Sequence, residues 1–242
     1  MTGETDHSAF KDASIYQDIV TAIFEQRLLP GTQLKEDELR DIYGVSRARI
    51  REILLRLVHD KFVTRISNRG AFVAKPTVAE AREVFAARRL IEGHLVRLLA
   101  ERGDQNMHEV LKRQIEHEAR ARRRGDFSEI IRQGGEFHFV LAEIAACSIL
   151  SRFLRELLTL TSLISVAYQR GNVVKCEMDE HRELAVCISE GRADDAEALM
   201  NAHLDGILSR LDLSLPREPQ ADLHQVLGRA SPRRETKKVA TS

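Results

Sequence analysis

The chain has 242 residues, 43% of them hydrophobic, enough for one small domain and one larger core, and its charge balances at 37 basic against 37 acidic side chains. No apolar run is long enough to span a bilayer, and the polar start MTGETDHSAFKD lacks the apolar centre of a secretion signal, so a cytoplasmic protein is expected rather than a membrane or secreted one. Cys147, Cys176 and Cys187 are odd in number, lack CxxC spacing and fall in helical patterns, which argues for buried small hydrophobes rather than a disulfide framework or a zinc knot.

In chain order, Ile15, Ile19, Ala22, Ile23 and Phe24 mark an amphipathic helix ending near Arg27, and LLPGTQL then turns the chain through Pro30 and Gly31. Glu36 to Tyr43 is a second helix, with Glu36 or Asp37 favouring its N-terminus and Leu39 and Ile42 facing inward. Gly44 closes a tight turn, Val45 plugs it, and Ser46 is suited to cap a third helix from Arg47. Ile50, Ile53, Leu54, Leu57 and Val58 recur at three- and four-residue intervals, which leaves Arg47 and Arg51 outward at the helix head. Phe62, Val63 and Ile66 form a short β-like run, Ser67 to Gly70 a turn, and Ala71 to Val73 the return strand. Helix, turn, helix and basic hairpin together form a winged helix-turn-helix, a device that reads DNA.

Local charge supports that reading where the global balance hides it. Val45 to Lys75 hold eight basic and two acidic residues, a net +6 suited to a phosphate backbone. Residues 77–213 hold 19 basic and 23 acidic residues, a net of −4, so the remainder is no general polyanion binder.

Pro76 and Thr77 mark a boundary, beyond which long helical patterns run with scarcely any strand signal. Helices are expected near Thr77–Arg102, Asp104–Arg124, Asp126–Ala146, Ser148–Arg170, Val173–Glu190 and Arg192–Asp212, with glycines 103, 125, 171 and 191 as punctuation. In the fourth, Ile149, Leu150, Phe153, Leu154, Leu157, Leu158, Leu160, Leu163 and Ile164 cover more than one stripe, as in a central or interface helix. The fold class is therefore mainly α: a winged helix-turn-helix over residues 1–76 and an all-helical antiparallel bundle over 77–215. Residues 216–242 lose periodicity and collect Pro, Gly and charge, so they are expected to lack fixed structure, with a basic end able to touch DNA weakly.

Residues in both halves carry a resemblance. LLPGTQLKEDEL, GVSRARIRE and NRGAFV resemble the DNA-binding half of GntR-type bacterial transcription regulators, and RRLIEGHLVRLLAE, EFHFVLAEIA and EHRELAVCISEGRADDAEALMNAHL resemble the effector half of the branch with an FCD domain. The resemblance covers nearly everything before the tail. It implies a homodimeric regulator, usually a repressor, that grips a palindromic operator in double-stranded DNA and changes affinity when a small metabolite, often a carboxylate, enters the helical domain. Arg47 and Arg51 match reader-helix arginines and Gly70 the wing-tip glycine of the minor groove, while Arg49 stands where many relatives have proline. The DNA-facing set is Ser46, Arg47, Arg49, Arg51, Arg69 and Gly70.

His138, His181 and His203 lie on three different expected helices, where a bundle could bring them together. Three imidazoles can hold one zinc or nickel ion and leave a coordination position open. Each histidine alone is more often a hydrogen-bonded core or surface residue. Relatives with a metal add an aspartate one turn before the first histidine, and here that position is Gly134. Glu136 is no simple substitute, since two residues along a helix it points about 200° away. Three readings stay open: a three-histidine metal whose vacancy takes an effector carboxylate or water, a ligand pocket without metal, or a degenerate site.

Arg88 and Glu92, one turn apart, match family residues near the effector cavity, where Arg88 would clamp an anion; the plain alternative is a helix-stabilising ion pair. Cys147 stands where the family often has asparagine. The rival functions are a metal-dependent enzyme using the three histidines and an architectural DNA-binding protein without effector. Neither a nucleophile elbow nor a phosphate-cradling loop supports the first, and the large helical domain has no purpose in the second.

Overall fold

A computed structural model describes residues 3–103, 105–168, 177–214 and 222–228. Ten helices and three strands run in the order α1 (Gly3–Phe24), β1 (Gln33–Leu34), α2 (Glu36–Tyr43), α3 (Arg47–His59), β2 (Val63–Ile66), β3 (Gly70–Val73), α4 (Val78–Arg102), α5 (Gln105–Arg124), α6 (Phe127–Ile144), α7 (Ser148–Tyr168), α8 (Glu177–Ser189), α9 (Ala193–Ser209) and α10 (Leu223–Leu227). The mainly helical class is the one expected from the hydrophobic pattern.

The first three helices pack Ile19, Ile23, Leu39, Ile50, Leu54 and Leu57 into one small core, which the hairpin closes with Val63, Ala71 and Val73. The second and third helices fall where the periodicity placed them. Gly44 adopts the left-handed conformation at φ 60°, and its N–H reaches the Arg40 carbonyl at 2.9 Å, which ends α2 and turns the chain into α3. Ser46 caps α3 by accepting from the Arg49 amide at 3.3 Å. β1 was not expected: two residues cannot display an alternating pattern, yet Gln33 pairs with Phe72 and Leu34 with Ala71, giving an antiparallel sheet in the order β1-β3-β2.

The larger core joins α4 to α9, with Phe85, Leu95, Leu99, Leu111, Phe137, Leu141, Leu154, Ile164, Leu184, Ile188 and Leu204 among its buried residues. The boundary at Pro76 and Thr77 has a physical basis. Thr77 Oγ1 accepts from the Glu80 amide at 3.2 Å while the Thr77 amide donates to Glu80 at 2.7 Å, a reciprocal cap on α4, and Tyr168 on α7 donates to the Pro76 carbonyl at 2.9 Å. α6 is continuous through Gly134 and Gly135 despite their helix cost of roughly 1 kcal/mol each relative to alanine. Neighbouring Phe137, Leu141 and Ala142 are fully buried and supply the compensating packing.

The two units touch. Leu163 of α7 belongs to the core of the winged head, the half-buried Ile131 of α6 packs against that core, and Lys61 pairs with Glu156 of α7 at 3.1 Å. The expectation of an unstructured tail is corrected at residues 222–228, which form α10 on the head; too short for a periodic signal, this helix depends on the surface that receives it. The rest of 215–242 lies outside the described residues, as do Cys176 and the expected helix ends at Arg170 and Val173. Cys187 is buried and Cys147 half-buried, both unpaired as thiols. No helix among the described residues is long and apolar enough to cross a membrane.

Replacing Thr77 by alanine removes the α4 cap and is expected to cost about 1 kcal/mol, lowering the thermal midpoint by roughly 2–4 °C in calorimetry. An unchanged midpoint would show that the Tyr168 anchor alone sets the boundary.

Candidate DNA interface and histidine centre

Arg47 and Arg51 stand one turn apart on the exposed side of α3. Both contact Glu36 on α2, Arg47 Nε at 3.1 Å and Arg51 Nη2 at 3.2 Å from the same carboxylate oxygen. These contacts outweigh partial burial and lower the Glu36 pKa, Arg51 contributing most. One anion thus pre-orients two guanidinium groups beside a cleft of about 510 Å³, lined also by Leu55, Arg65 and Gly70.

The wing has a defined tip. Asn68 takes φ 59° and Gly70 φ 96°, while the Gln33 amide donates to the Arg69 carbonyl at 2.7 Å. Arg69 lies over the Phe72 ring at 5.7 Å. Arg49, grouped with the reader arginines from sequence, is half-buried and pairs with Asp12 of α1 at 2.6 Å. It faces back into the head, away from Arg47 and Arg51, because its position falls on the helix flank that meets α1.

In the bundle, His138 of α6, His181 of α8 and His203 of α9 are all buried and converge. His203 Nε2 lies 3.2 Å from His138 Nε2 and 3.3 Å from His181 Nε2, and the three ligand atoms fall within 4.8 Å of one another. Each opposite nitrogen meets a carboxylate: His138 Nδ1 meets Glu92, His181 Nδ1 meets Glu118 at 2.9 Å, and His203 Nδ1 meets Glu180 at 2.6 Å. An ionised carboxylate only accepts, so the proton sits on Nδ1 and the Nε2 lone pair points inward. Burial pushes His138 down to about 4 and His181 well below its ordinary value, which keeps those rings neutral.

Where the rings are neutral, three lone pairs face one another, an arrangement that repels unless a cation lies among them. Zinc–nitrogen bonds of about 2.0–2.1 Å in a tetrahedron put neighbouring ligand nitrogens about 3.3 Å apart, close to the two short separations here. Carboxylates behind metal-binding imidazoles also fix the tautomer and raise ligand basicity. The donor set therefore fits a divalent ion such as zinc or nickel. Phe137 stacks on the His181 ring at 4.0 Å between centroids and limits its rotation.

Arg88 and Glu92, expected at an effector cavity, are both fully buried. Arg88 donates from Nε to Glu92 at 2.6 Å and reaches Thr161 on α7 at 3.4 Å. Burial works against the Glu92 carboxylate, but Arg88 and His138 outweigh it and hold its pKa down at about 2. Glu92 is thus the group that orients His138, with Arg88 holding it. Glu118 and Glu180 were not singled out from sequence, since a glutamate on an amphipathic helix ordinarily faces water. Glu118 follows Gln114 by one turn on the buried side of α5, and Gln114 donates to the Gln133 carbonyl at 2.9 Å. Glu136 points away from the histidines into a small cavity with Phe24, Phe62 and Phe139, as its helical angle requires. Cys147 directs its thiol to the Ala145 carbonyl at 3.5 Å in the α6–α7 turn.

A winged helix-turn-helix head joined to a helical bundle defines a DNA-binding transcriptional regulator. The model of the FCD domain matches residues 83–206 and that of bacterial regulatory proteins of the gntR family matches residues 11–73. The chain belongs to the GntR family, in the branch that carries an FCD domain. Among relatives, the HTH-type transcriptional regulator YdhC of Bacillus subtilis (strain 168) is 24% identical over 192 residues, covering 78% of this chain and 86% of that protein. The HTH-type transcriptional repressor RspR of Escherichia coli (strain K12) is 23% identical over 194 residues, covering 80% and 85%. A GntR regulator from Rhodococcus sp. RHA1 shares the fold at a TM-score of 0.70 and 20% identity, covering 84% of this chain and 98% of that one. E. coli McbR/YncC does so at a TM-score of 0.65 and 17% identity, covering 82% and 95%.

Replacing Arg88 by methionine strands the buried Glu92 charge with His138 alone and is expected to destabilise the bundle by about 3–5 kcal/mol. Arg88→Met with Glu92→Gln should recover part of that loss in chemical denaturation. No recovery would mean that the pair is not the source of the cost.

Proposed function

We propose that this regulator is a metabolite-responsive homodimeric repressor whose helical domain senses a small anion, a carboxylate, at a metal held by His138, His181 and His203. The observation that carries the sensing half is the convergence of three buried Nε2 atoms, each backed by a carboxylate on Nδ1. With Gly134 in place of an aspartate, three protein ligands leave coordination open to an oxygen of the effector or of water. A bound divalent ion would supply the positive charge that holds such an anion. The protein's own residues do the rest: Glu92, Glu118 and Glu180 orient the rings, Phe137 confines one of them, and burial excludes bulk water. Since each of these carboxylates faces an imidazole Nδ1, they serve as orienting groups rather than bases, which favours a sensor over an enzyme.

The output runs through α6 and α7. Ile131 packs against the core of the head, and His138 follows it by seven residues, about 10.5 Å along the same helix. A ligand that shifts α6 therefore moves the head on which Arg47 and Arg51 sit. In a dimer, two reader helices must meet half-sites about 34 Å apart, so a modest change at either head misaligns both. The ligand can shift that balance only by its difference in affinity for the two arrangements. Dimer formation is supported by α4 and α7, which pack on each other and leave Leu90 79%, Ile149 56% and Phe153 51% exposed. Large apolar side chains so placed mark an interaction surface, and a second copy of the chain would cover them isologously.

Arg51→Ala is expected to weaken operator binding about 10- to 100-fold without altering metal content, whereas His181→Ala should lose the metal and leave DNA affinity intact but unresponsive. Anisotropy titration and metal analysis of untagged protein read the two. Wild-type protein that holds no divalent ion and shows no thermal shift with zinc or nickel would refute the metal. Leu90→Glu with Phe153→Glu should give a monomer by light scattering; a persistent dimer would place the interface elsewhere.

A further inference from the structure

Arg47 opens α3 and Arg51 follows one turn later, so both guanidinium groups stand near the positive end of the helix macrodipole, and no acidic residue lies in the first turn of that helix. The compensating charge comes from α2. Glu36 is the first residue of α2, where the dipole favours an anion, while Lys35 before it is engaged by Glu38 at 2.6 Å. The Glu36 side chain is 23% exposed, against 57% for Arg47 and 53% for Arg51. The acid is thus the fixed member of the cluster, and the long arginine side chains are the ones free to swing.

Glu36 Oε2 takes one donor from each arginine, Nε of Arg47 and Nη2 of Arg51. A guanidinium carries several N–H donors in a planar fork, so both arginines keep free donors while they hold Glu36. Reading a guanine requires two of these on O6 and N7 in a set orientation, a demand compatible with the Glu36 contact. A phosphate requires reach instead, and an arginine that swings out to one abandons Glu36. Breaking the exposed pairs costs little in itself. The cost lies in the carboxylate left behind, fixed on α2, unpaired and facing a polyanion, since like charges so placed oppose binding. It falls on the complex in which the arginines follow phosphates and spares the one in which they point at bases.

We propose that Glu36 is a specificity-determining residue: it holds Arg47 and Arg51 for base edges and penalises the complex in which they serve as phosphate contacts on arbitrary sequence. It acts through the two arginines as a positioning residue, and the inference rests on those arginines reading DNA as proposed above. Asp37 supplies the internal comparison. It lines the same cleft, is exposed, and of the two arginines meets Arg47 alone at 3.5 Å. It therefore brings the same charge without the shared contact.

In the test, the full wild-type chain selects its best duplex from a random library, and wild type, Glu36→Gln and Asp37→Asn are titrated against that duplex and a scrambled one over a range of salt. Glu36→Gln should bind the scrambled duplex about 10-fold more tightly and change by less than about 3-fold on the selected one, where lost orientation offsets the gained charge. Its preference then falls by at least about 3-fold, and its log–log salt slope on the scrambled duplex steepens by about 0.9, one further phosphate being neutralised. Asp37→Asn should keep the wild-type preference within about 2-fold. Loss of folded protein would weaken both duplexes equally and leave their ratio unmoved, so the ratio separates positioning from stability. An unchanged preference in Glu36→Gln overturns the inference. So does an equal loss in Asp37→Asn, which would assign the effect to net charge alone. A wild-type chain that selects no duplex would instead refute the reading of the head, and this inference with it.

Discussion

Each of three imidazoles in the bundle is tied at Nδ1 to a carboxylate, and this constraint forces the three Nε2 atoms toward one point. The carboxylates come from α4, α5 and α8 and the histidines from α6, α8 and α9, so one polar cluster draws on five of the six bundle helices. Buried carboxylates are tolerable only when paired, and here Glu92 and Glu118 each have an imidazole, as does the half-buried Glu180, with Arg88 added on Glu92. The cluster and the apolar core are therefore mutually dependent: the core excludes the water that would otherwise solvate these charges, and the pairs make their burial possible.

The same helices meet the head. α6 carries His138 at one level and Ile131 two turns away, and α7 carries Thr161 against Arg88 and Leu163 in the head core. Gly134 and Gly135 lie between these two levels of α6, where helix-forming tendency is weakest. A segment whose local preference is poor and whose structure comes from packing is suited to respond when the packing changes. The small cavity lined by Gly135, Phe24 and Phe62 adjoins this segment on the head side.

Charge is divided to match. The third helix and the wing are basic, the bundle is acidic, and Glu36 sits between Arg47 and Arg51. Releasing Arg47 and Arg51 from Glu36 costs little, because such exposed ion pairs contribute about 0–1 kcal/mol.

By itself, the sequence determined the helical periodicity, the turn at Gly44, the wing and the family, since these depend on local propensity and on motifs contiguous in the chain. It also named the three histidines as residues of different helices that a bundle could bring together, with family likeness favouring a metal among them. Tertiary structure alone decided which glutamates meet the histidines: Glu118, buried, and Glu180, half-buried, look like surface residues until α5 and α8 are packed. It alone turned Arg49 toward Asp12, buried Glu92 behind His138, and placed α10 on the head. Each of those outcomes is a contact between residues distant in the chain, and periodicity along one element carries no record of what the next element brings against it.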